Sequence, residues 1–136
     1  ILLKFSAAAG TGGRWIAVSW TQEAQTRHQD LALVNGNNNN VAILTRETDT
    51  FVRITGPTAA FTITGLAQPT EGRRIILYNT TAQDMTIANE HASSTAANRI
   101  LTLDGAGDVV LLTGPNIAEL IYDANASRWI LLSART

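Results

Sequence analysis

The residues of this sequence that could perform chemistry are few, and the most suggestive are the adjacent Glu90 and His91. A carboxylate beside an imidazole could bind a metal ion or transfer a proton. A catalytic zinc ion needs about three protein ligands, and no further histidine or carboxylate accompanies this pair at ligand spacing. The chain has no cysteine, which excludes cysteine metal sites and disulfide bonds. We therefore expect Glu90 and His91 to lie in an exposed loop.

Two glycine-rich segments suggest ion or phosphate binding, but each lacks the residues that such a site requires. Asp104–Asp108 lacks the alternating carboxylates and distant glutamate of a calcium loop, and Gly10–Gly13 is not followed by the Lys-Ser/Thr pair of a phosphate-binding loop. Glycoside hydrolysis needs paired carboxylates, and no pattern pairs those available, which are Asp84, Glu90, Asp104, Asp108 and Glu119. We expect no enzyme and no catalytic, metal or cofactor site.

The composition excludes several classes of partner. Of 136 residues, 45% are hydrophobic and 15% are charged, against a typical ~25% charged. The net charge is −1 and Lys4 is the only lysine, so no basic stripe is available to neutralise nucleic-acid phosphates. No apolar run approaches the ~20 residues of a membrane helix, so we expect no membrane insertion. The low charge favours a β-rich protein over a helical bundle.

Short apolar runs separated by turn residues recur along the chain. Thr50–Thr55 and Ala60–Thr64 alternate as half-buried strands do, and they begin ten residues apart. An Asn-Gly pair opens the loop Asn35–Asn40 between two apolar runs, which predicts a hairpin with a wide loop. Ile117–Ser133 has two apolar runs around a short turn, which predicts a closing hairpin.

Turn signals every ~8–12 residues favour an all-β fold. We predict an antiparallel β-sandwich or jelly-roll-like domain of about nine or ten short strands. We place this domain at residues 31–136, and we expect residues 1–30 to form an N-terminal arm or an edge element. No linker or second domain boundary is visible after that point.

Four runs carry large apolar residues at consecutive positions, namely 75–78, 109–112, 117–122 and 129–132. Consecutive residues of a strand face opposite sides, so these strands need cover on both. A two-layer sandwich has one interior, and the outward sides would leave an apolar patch that monomers rarely tolerate. We expect neighbouring copies to cover it, and the alternative is that the N-terminal arm or long loops of the same chain cover it. The residues expected at the subunit interface are Ile76, Tyr78, Val110, Leu112, Ile121, Trp129 and Leu131.

Two further patterns have both a functional and a structural interpretation. Aromatic rings could stack on sugars, but these lie inside apolar strands, which favours packing in the core or at an interface. They are Trp15, Trp20, Tyr78, Tyr122 and Trp129. Glu90 and Arg99 bracket a loop of small residues, and a charge pair between them could pin that loop. The alternative is two solvated charges that contribute little.

Several motifs have the order and spacing of a known family. They are the repeated strand unit of Phe51–Gly65, then Gly72–Thr81, Met85–Glu90, Ser94–Ile100 and Tyr122–Trp129. From Phe51 onward the chain resembles a domain common in virion proteins of tailed bacteriophages, including tail-fibre and head-fibre proteins. These are structural motifs, so the resemblance carries over no binding residue. Residues 1–50 match less well.

The resemblance implies a non-enzymatic β module that is multimeric, often trimeric, and exposed on the virion surface. The expected function is that of a structural protein, in a fibre, a spike or a capsid decoration, which contacts its own copies and other virion proteins. The alternative is an adhesin domain that binds a host receptor or surface glycan. The loop residues expected to be exposed for recognition are Asn37, Asn38, Asn39, Glu90 and His91.

Overall fold

The structure is a computed structural model that describes residues 2–3, 18–19, 27–44, 49–67, 69–105 and 107–136. Within these ranges the chain forms twelve strands, one short 3₁₀ turn at Ala96–Asn98 and no α-helix, so the predicted all-β class is confirmed. The strands are β1 (Leu2–Leu3), β2 (Val18–Ser19), β3 (His28–Ala32), β4 (Gly36–Asn38), β5 (Asp49–Thr55), β6 (Phe61–Ile63), β7 (Arg74–Asn79), β8 (Met85–Ile87), β9 (Ile100–Leu101), β10 (Val109–Leu111), β11 (Asn116–Asp123) and β12 (Arg128–Arg135).

Ten of these strands form two sheets that share one apolar core. The large sheet has six strands in the order β3-β5-β7-β11-β12-β9, and the small sheet has four in the order β10-β8-β6-β4. β1 and β2 pair antiparallel with each other, with Leu2 opposite Ser19.

Six strands form three successive rungs, each with a strand in the large sheet followed by a three-residue strand in the small sheet. The rungs combine β3 with β4, β5 with β6, and β7 with β8, and neighbouring rungs pair in parallel in both sheets. Phe51 lies opposite Ile76, 25 residues further along. Phe61 lies opposite Met85, 24 residues further along. This stacking of similar turns is the arrangement of a β-solenoid.

The C-terminal strands close the stack with antiparallel pairs. β10 adds to β8 in the small sheet, and β11 adds to β7 in the large sheet. β11 and β12 form the hairpin predicted at the end of the chain, so that prediction is confirmed. Leu120 pairs with Leu131 while its neighbour Glu119 pairs with Ser133, so Leu132 is an extra residue in a β-bulge.

Inward-pointing apolar side chains of both sheets form the core. On β7, Ile75 and Leu77 are fully buried and alternate with the half-buried Ile76 and Tyr78. Phe61 and the other inward residues of the small sheet meet them from the opposite side. Burying such a side chain contributes about 1.5–3 kcal/mol relative to exposure. The predicted two-sided apolar strands are therefore present, with one side inside the core.

The antiparallel sandwich prediction is wrong in its strand pairing. Five of the strand pairs in the described ranges are parallel. The units at Phe51 and Phe61 are not neighbours in one sheet, because β5 belongs to the large sheet and β6 to the small one. The alternation of apolar and polar residues is the same in parallel and antiparallel strands, so it could not separate the two.

The predicted Asn-Gly hairpin is also wrong. Gly36–Asn38 is itself strand β4, and it pairs in parallel with β6. Gly36 has a φ of 75°, so the Asn-Gly pair turns the chain from one sheet into the other rather than back along the same sheet.

The division into an N-terminal arm and a domain stays a prediction. β3 spans the proposed boundary after residue 30 and pairs with β5. Most of residues 1–26 lie outside the described ranges, and so do Trp15 and Trp20.

Candidate interaction surface

The side of the large sheet that points away from the core is a candidate interaction surface of the described chain. Its side chains lie in rows that follow the cross-strand register. We call this surface the outer face, and its rows are Asp30-Arg53-Tyr78-Ile117-Arg135, His28-Phe51-Ile76-Glu119-Ser133 and Asp49-Arg74-Ile121-Ile130-Leu101.

The centre of the outer face is apolar. Ile76 and Tyr78 lie beside Ile117 and Ile121 on the neighbouring strand, and all four are half-buried. The rings of Phe51 and Tyr78 lie 5.9 Å apart with an interplanar angle of 31°. β-Branched and aromatic side chains pack well side by side on a pleated surface, so each shields part of its neighbour. These side chains nevertheless remain partly exposed to solvent on the outer side of the sheet in the described ranges.

A polar cluster lies beside this apolar centre. Arg53 Nη1 donates to Asp30 Oδ1 at 3.0 Å, and His28 Nε2 lies 3.0 Å from the same oxygen. The imidazole of His28 lies 6.1 Å from the ring of Phe51. The side chains of Arg53 and Asp30 are 44% and 62% exposed, so their pairing contributes little to folding. Their effect is to give one edge of the outer face hydrogen-bonding groups.

A second ion pair lies within the apolar part of the outer face, where Arg74 Nη2 contacts Glu119 Oε1. The opposite charges of this pair, like those of Arg53 and Asp30, offset each other within the same chain. This pairing leaves the centre of the surface without a net charge that would repel a second copy.

Three of the seven predicted interface residues lie on the outer face: Ile76, Tyr78 and Ile121. Val110 and Leu112 are exposed by 51% and 60% respectively, but they lie on and just after β10, at the edge of the small sheet. They are exposed apolar residues on a different surface, and their place at a subunit interface stays a prediction.

The remaining two predicted interface residues, Trp129 and Leu131, lie instead in the core of their own chain, where they are 0% and 7% exposed. Trp129 Nε1 donates to the buried carbonyl of Leu66 at 2.9 Å, and its ring meets Tyr122 edge-on at 5.3 Å. Ile130, which lies between Trp129 and Leu131 on β12, faces outward instead. The sequence showed that β12 is apolar on both sides but not which side is inside.

The two segments predicted as recognition loops meet at one corner of the molecule. Asn40 Oδ1 accepts hydrogen bonds from Thr95 N at 2.9 Å and from Asn98 Nδ2 at 2.8 Å. Ser94 Oγ accepts from Asn40 N at 3.0 Å and lies 2.8 Å from the buried Thr64 hydroxyl. We call these five residues the Asn40 corner. Sequence analysis did not identify it, since its members are up to 58 residues apart.

The predicted recognition residues differ in exposure. Asn37 and Asn39 are exposed, whereas Asn38 is buried and its amide bonds to the carbonyl of Val34 at 2.9 Å. Asn38 therefore holds the turn between the two sheets rather than facing solvent. Glu90 and His91 are both half-buried.

The predicted Glu90–Arg99 pair is wrong. Glu90 Oε1 accepts from Arg128 Nε, and Arg99 Nε instead donates to the carbonyl of Ser94 at 3.0 Å. This hydrogen bond to Glu90 raises the pKa of the Arg128 guanidinium. Arg99 still pins the loop of small residues, but through the backbone.

One arginine is buried in the core region. Arg73 is 5% exposed, its Nη2 donates to the carbonyl of Ile43 at 3.3 Å, and burial lowers its pKa. A guanidinium bound to backbone in this way ties the segment after β4 to the start of β7. This arrangement is typical of a structural arginine.

No group of three or more histidine, cysteine, aspartate or glutamate residues in the described ranges is placed to hold a metal ion. The same ranges contain no helix long and apolar enough to cross a membrane. Comparison of the chain with protein-family models, with curated proteins and with solved structures found no match to any of them.

Proposed function

We propose that the chain is a structural module of a bacteriophage virion surface, which acts by assembling into a homo-oligomer rather than by catalysis. The observation that carries the proposal is the apolar centre of the outer face, formed by neighbouring side chains of β5, β7 and β11. The sequence resemblance from Phe51 onward supports the assignment to phage virions, in a fibre, a spike or a capsid decoration.

Physical reasoning favours a second copy as the occupant of the outer face. A sheet surface with isoleucine and aromatic residues at its centre gains about 25 cal/mol for each Å² of apolar area removed from water. A stable interface buries roughly 800 Å² on each partner with an apolar core and a polar rim. The Ile76, Tyr78 and Ile121 patch contains the Arg74–Glu119 ion pair and is bordered on one side by the Arg53–Asp30 pair, so it offers apolar side chains together with polar ones. Closed symmetry is usual for such assemblies, and the resemblance favours a trimer.

Light scattering coupled to size exclusion tests the assembly. We expect the full chain to form a trimer at micromolar concentration, and we expect Ile76→Glu and Ile121→Glu to give folded monomers. Thr86→Glu is the matched control, because Thr86 points outward from the small sheet and should leave the trimer intact. Val110→Glu tests the competing surface on β10.

Circular dichroism of each variant separates loss of assembly from loss of folding. A wild-type chain that remains a monomer at micromolar concentration would overturn the oligomer. Dissociation by Val110→Glu but not by Ile76→Glu would move the interface to the small sheet. Cryo-electron microscopy of labelled particles tests the virion assignment, and absence of the chain from purified particles would contradict it.

A second candidate function is the binding of a host receptor or surface glycan at the Asn40 corner. The observation in its favour is that hydrogen bonds join two distant loops there, with Asn37 and Asn39 exposed nearby. A glycan array with the full chain tests this function. Binding that is lost in the double variant Asn37→Ala, Asn39→Ala supports it, and an array without signal rejects glycan recognition.

A further inference from the structure

Asn35-Gly36 is the one Asn-Gly step in the sequence, and such a step has its own chemistry. The backbone nitrogen of the glycine can attack the side-chain carbonyl carbon of the asparagine because glycine offers no Cβ to obstruct it. The nitrogen loses its proton to solvent, ammonia leaves, and a cyclic imide forms. Water then opens the ring at either carbonyl, which gives aspartate or isoaspartate.

The folded chain holds both reacting groups in hydrogen bonds. Asn35 Oδ1 accepts from Thr58 N at 2.8 Å and from Ala59 N at 3.1 Å, and Asn35 Nδ2 donates to Thr58 Oγ1 at 3.1 Å. The Gly36 nitrogen donates to the carbonyl of Ala60 at 3.2 Å. All four bonds join the first rung to the corner of the second.

We propose that Asn35 is a deamidation site, and that the hydrogen bonds between the first two rungs slow its deamidation in the folded chain. Ring closure requires the Asn35 amide to leave Thr58 and Ala59, and it requires the Gly36 nitrogen to give up its bond to Ala60. The reaction therefore proceeds from a locally opened state rather than from the native one. The inference is independent of the function proposed above.

The two products have different consequences for the fold. Aspartate at position 35 still presents an oxygen to the two backbone N–H groups, so the rung contact survives. Isoaspartate adds a methylene group to the backbone directly before Gly36, where the chain turns between sheets with a φ of 75°. We expect copies that carry isoaspartate to lose the pairing of β4 with β6.

Peptide mapping by mass spectrometry measures the reaction. The full chain is incubated at mildly alkaline pH in native buffer and in concentrated urea, and conversion of Asn35 is followed over time. We expect at least about tenfold slower conversion in native buffer, since local opening limits it. Equal rates in both solutions would overturn the proposal.

Two variants test whether these hydrogen bonds protect Asn35. Thr58→Val removes the hydroxyl that accepts from Asn35 Nδ2, and we expect conversion in native buffer to rise about threefold, in line with the modest net strength of one hydrogen bond. The rate in urea should not change, because the Asn-Gly step is intact. Thr80→Val removes the hydroxyl that donates to Ile54 O at another corner, and it should convert at the wild-type rate. If Thr58→Val converts Asn35 in native buffer at the wild-type rate, the proposed protection by the hydrogen bonds is contradicted.

Discussion

Gly65 shows how closely two distant segments approach each other at the Asn40 corner. A Cβ atom at this position would lie 2.4 Å from Asn98 O and 2.6 Å from Ser94 Oγ. Both distances are shorter than van der Waals contact, and one of the atoms belongs to the backbone. Only a residue without a side chain fits there while the corner keeps its hydrogen bonds.

We expect Gly65→Ala to lower the free energy of unfolding by about 2–4 kcal/mol, because overpacking must push the Ser94 loop away. Urea denaturation followed by circular dichroism measures this loss. Gly107→Ala is the matched control, since its new Cβ would meet only Asp104 O at an ordinary 3.6 Å. A change above about 0.5 kcal/mol in the control would show that any added methyl group destabilises this chain.

The ion pair between Glu90 and Arg128 connects the loop after β8 to the start of β12. Both side chains are mostly shielded, with 31% and 22% exposure. We expect Glu90→Gln to reduce stability by about 1 kcal/mol, since it replaces a charge-assisted hydrogen bond by a neutral one. Asp30→Asn should cost less than about 0.5 kcal/mol, because the Asp30 carboxylate is 62% exposed.

The pH dependence follows from Arg128. Its folded pKa is raised above the unfolded value by the hydrogen bond that it donates to Glu90. The arginine's share of the stabilisation is therefore complete below the unfolded pKa and is lost only as pH rises through the folded pKa. Thermal unfolding of the wild type and of Glu90→Gln at neutral and moderately alkaline pH should show a constant difference. A difference that shrinks across that range would contradict this assignment.

At the scale of elements, sequence patterns predicted the strands better than their pairing. The alternation in Thr50–Thr55 and the closing hairpin both appear in the structure. The parallel pairing could not be predicted, because it depends on contacts about 24 residues apart, whereas the visible rhythm was about ten. The ten-residue spacing is the distance between a strand of the large sheet and the next strand, which belongs to the small sheet.

Which residues of these strands face outward could be predicted only in part, for a related reason. Tyr78 and Ile121 face outward, while Trp129 faces the core, although all three lie in runs that are apolar on both sides. Alternate residues of a strand point to opposite sides, and the phase of a strand is the choice of which alternate set points to the core. That phase is set by cross-strand register and, on β12, by the extra residue Leu132.

Trp129 attaches the closing hairpin to the rungs. Its indole N–H bonds the carbonyl of Leu66, and both residues are fully buried. We expect Trp129→Phe to destabilise the fold by about 2–3 kcal/mol, because that carbonyl loses its partner and a void remains. Chemical denaturation measures the loss. Tyr122→Phe, on the ring that contacts Trp129, should cost less than about 1 kcal/mol.

At the scale of the whole molecule, the rungs differ in how they are supported. β7 lies between β5 and β11, whereas β3 is the terminal strand of the large sheet in the described ranges. In stacked repeats each unit is stabilised mainly by its neighbours, so a terminal unit opens more readily. We expect hydrogen exchange followed by mass spectrometry to show strong protection in β7 and weaker protection in β3. Uniform protection would indicate that β3 has further cover.

The bulge on β12 gives the hairpin an unusual tolerance to a change in length. Loss of one residue from a regular strand turns every later side chain to the opposite side of its sheet. Leu132 is surplus to the pairing, since Leu131 and Ser133 already lie opposite adjacent residues of β11. A chain that lacks Leu132 would keep Leu131 in the core and shed one exposed leucine, so the shortened hairpin should fold with its existing partners.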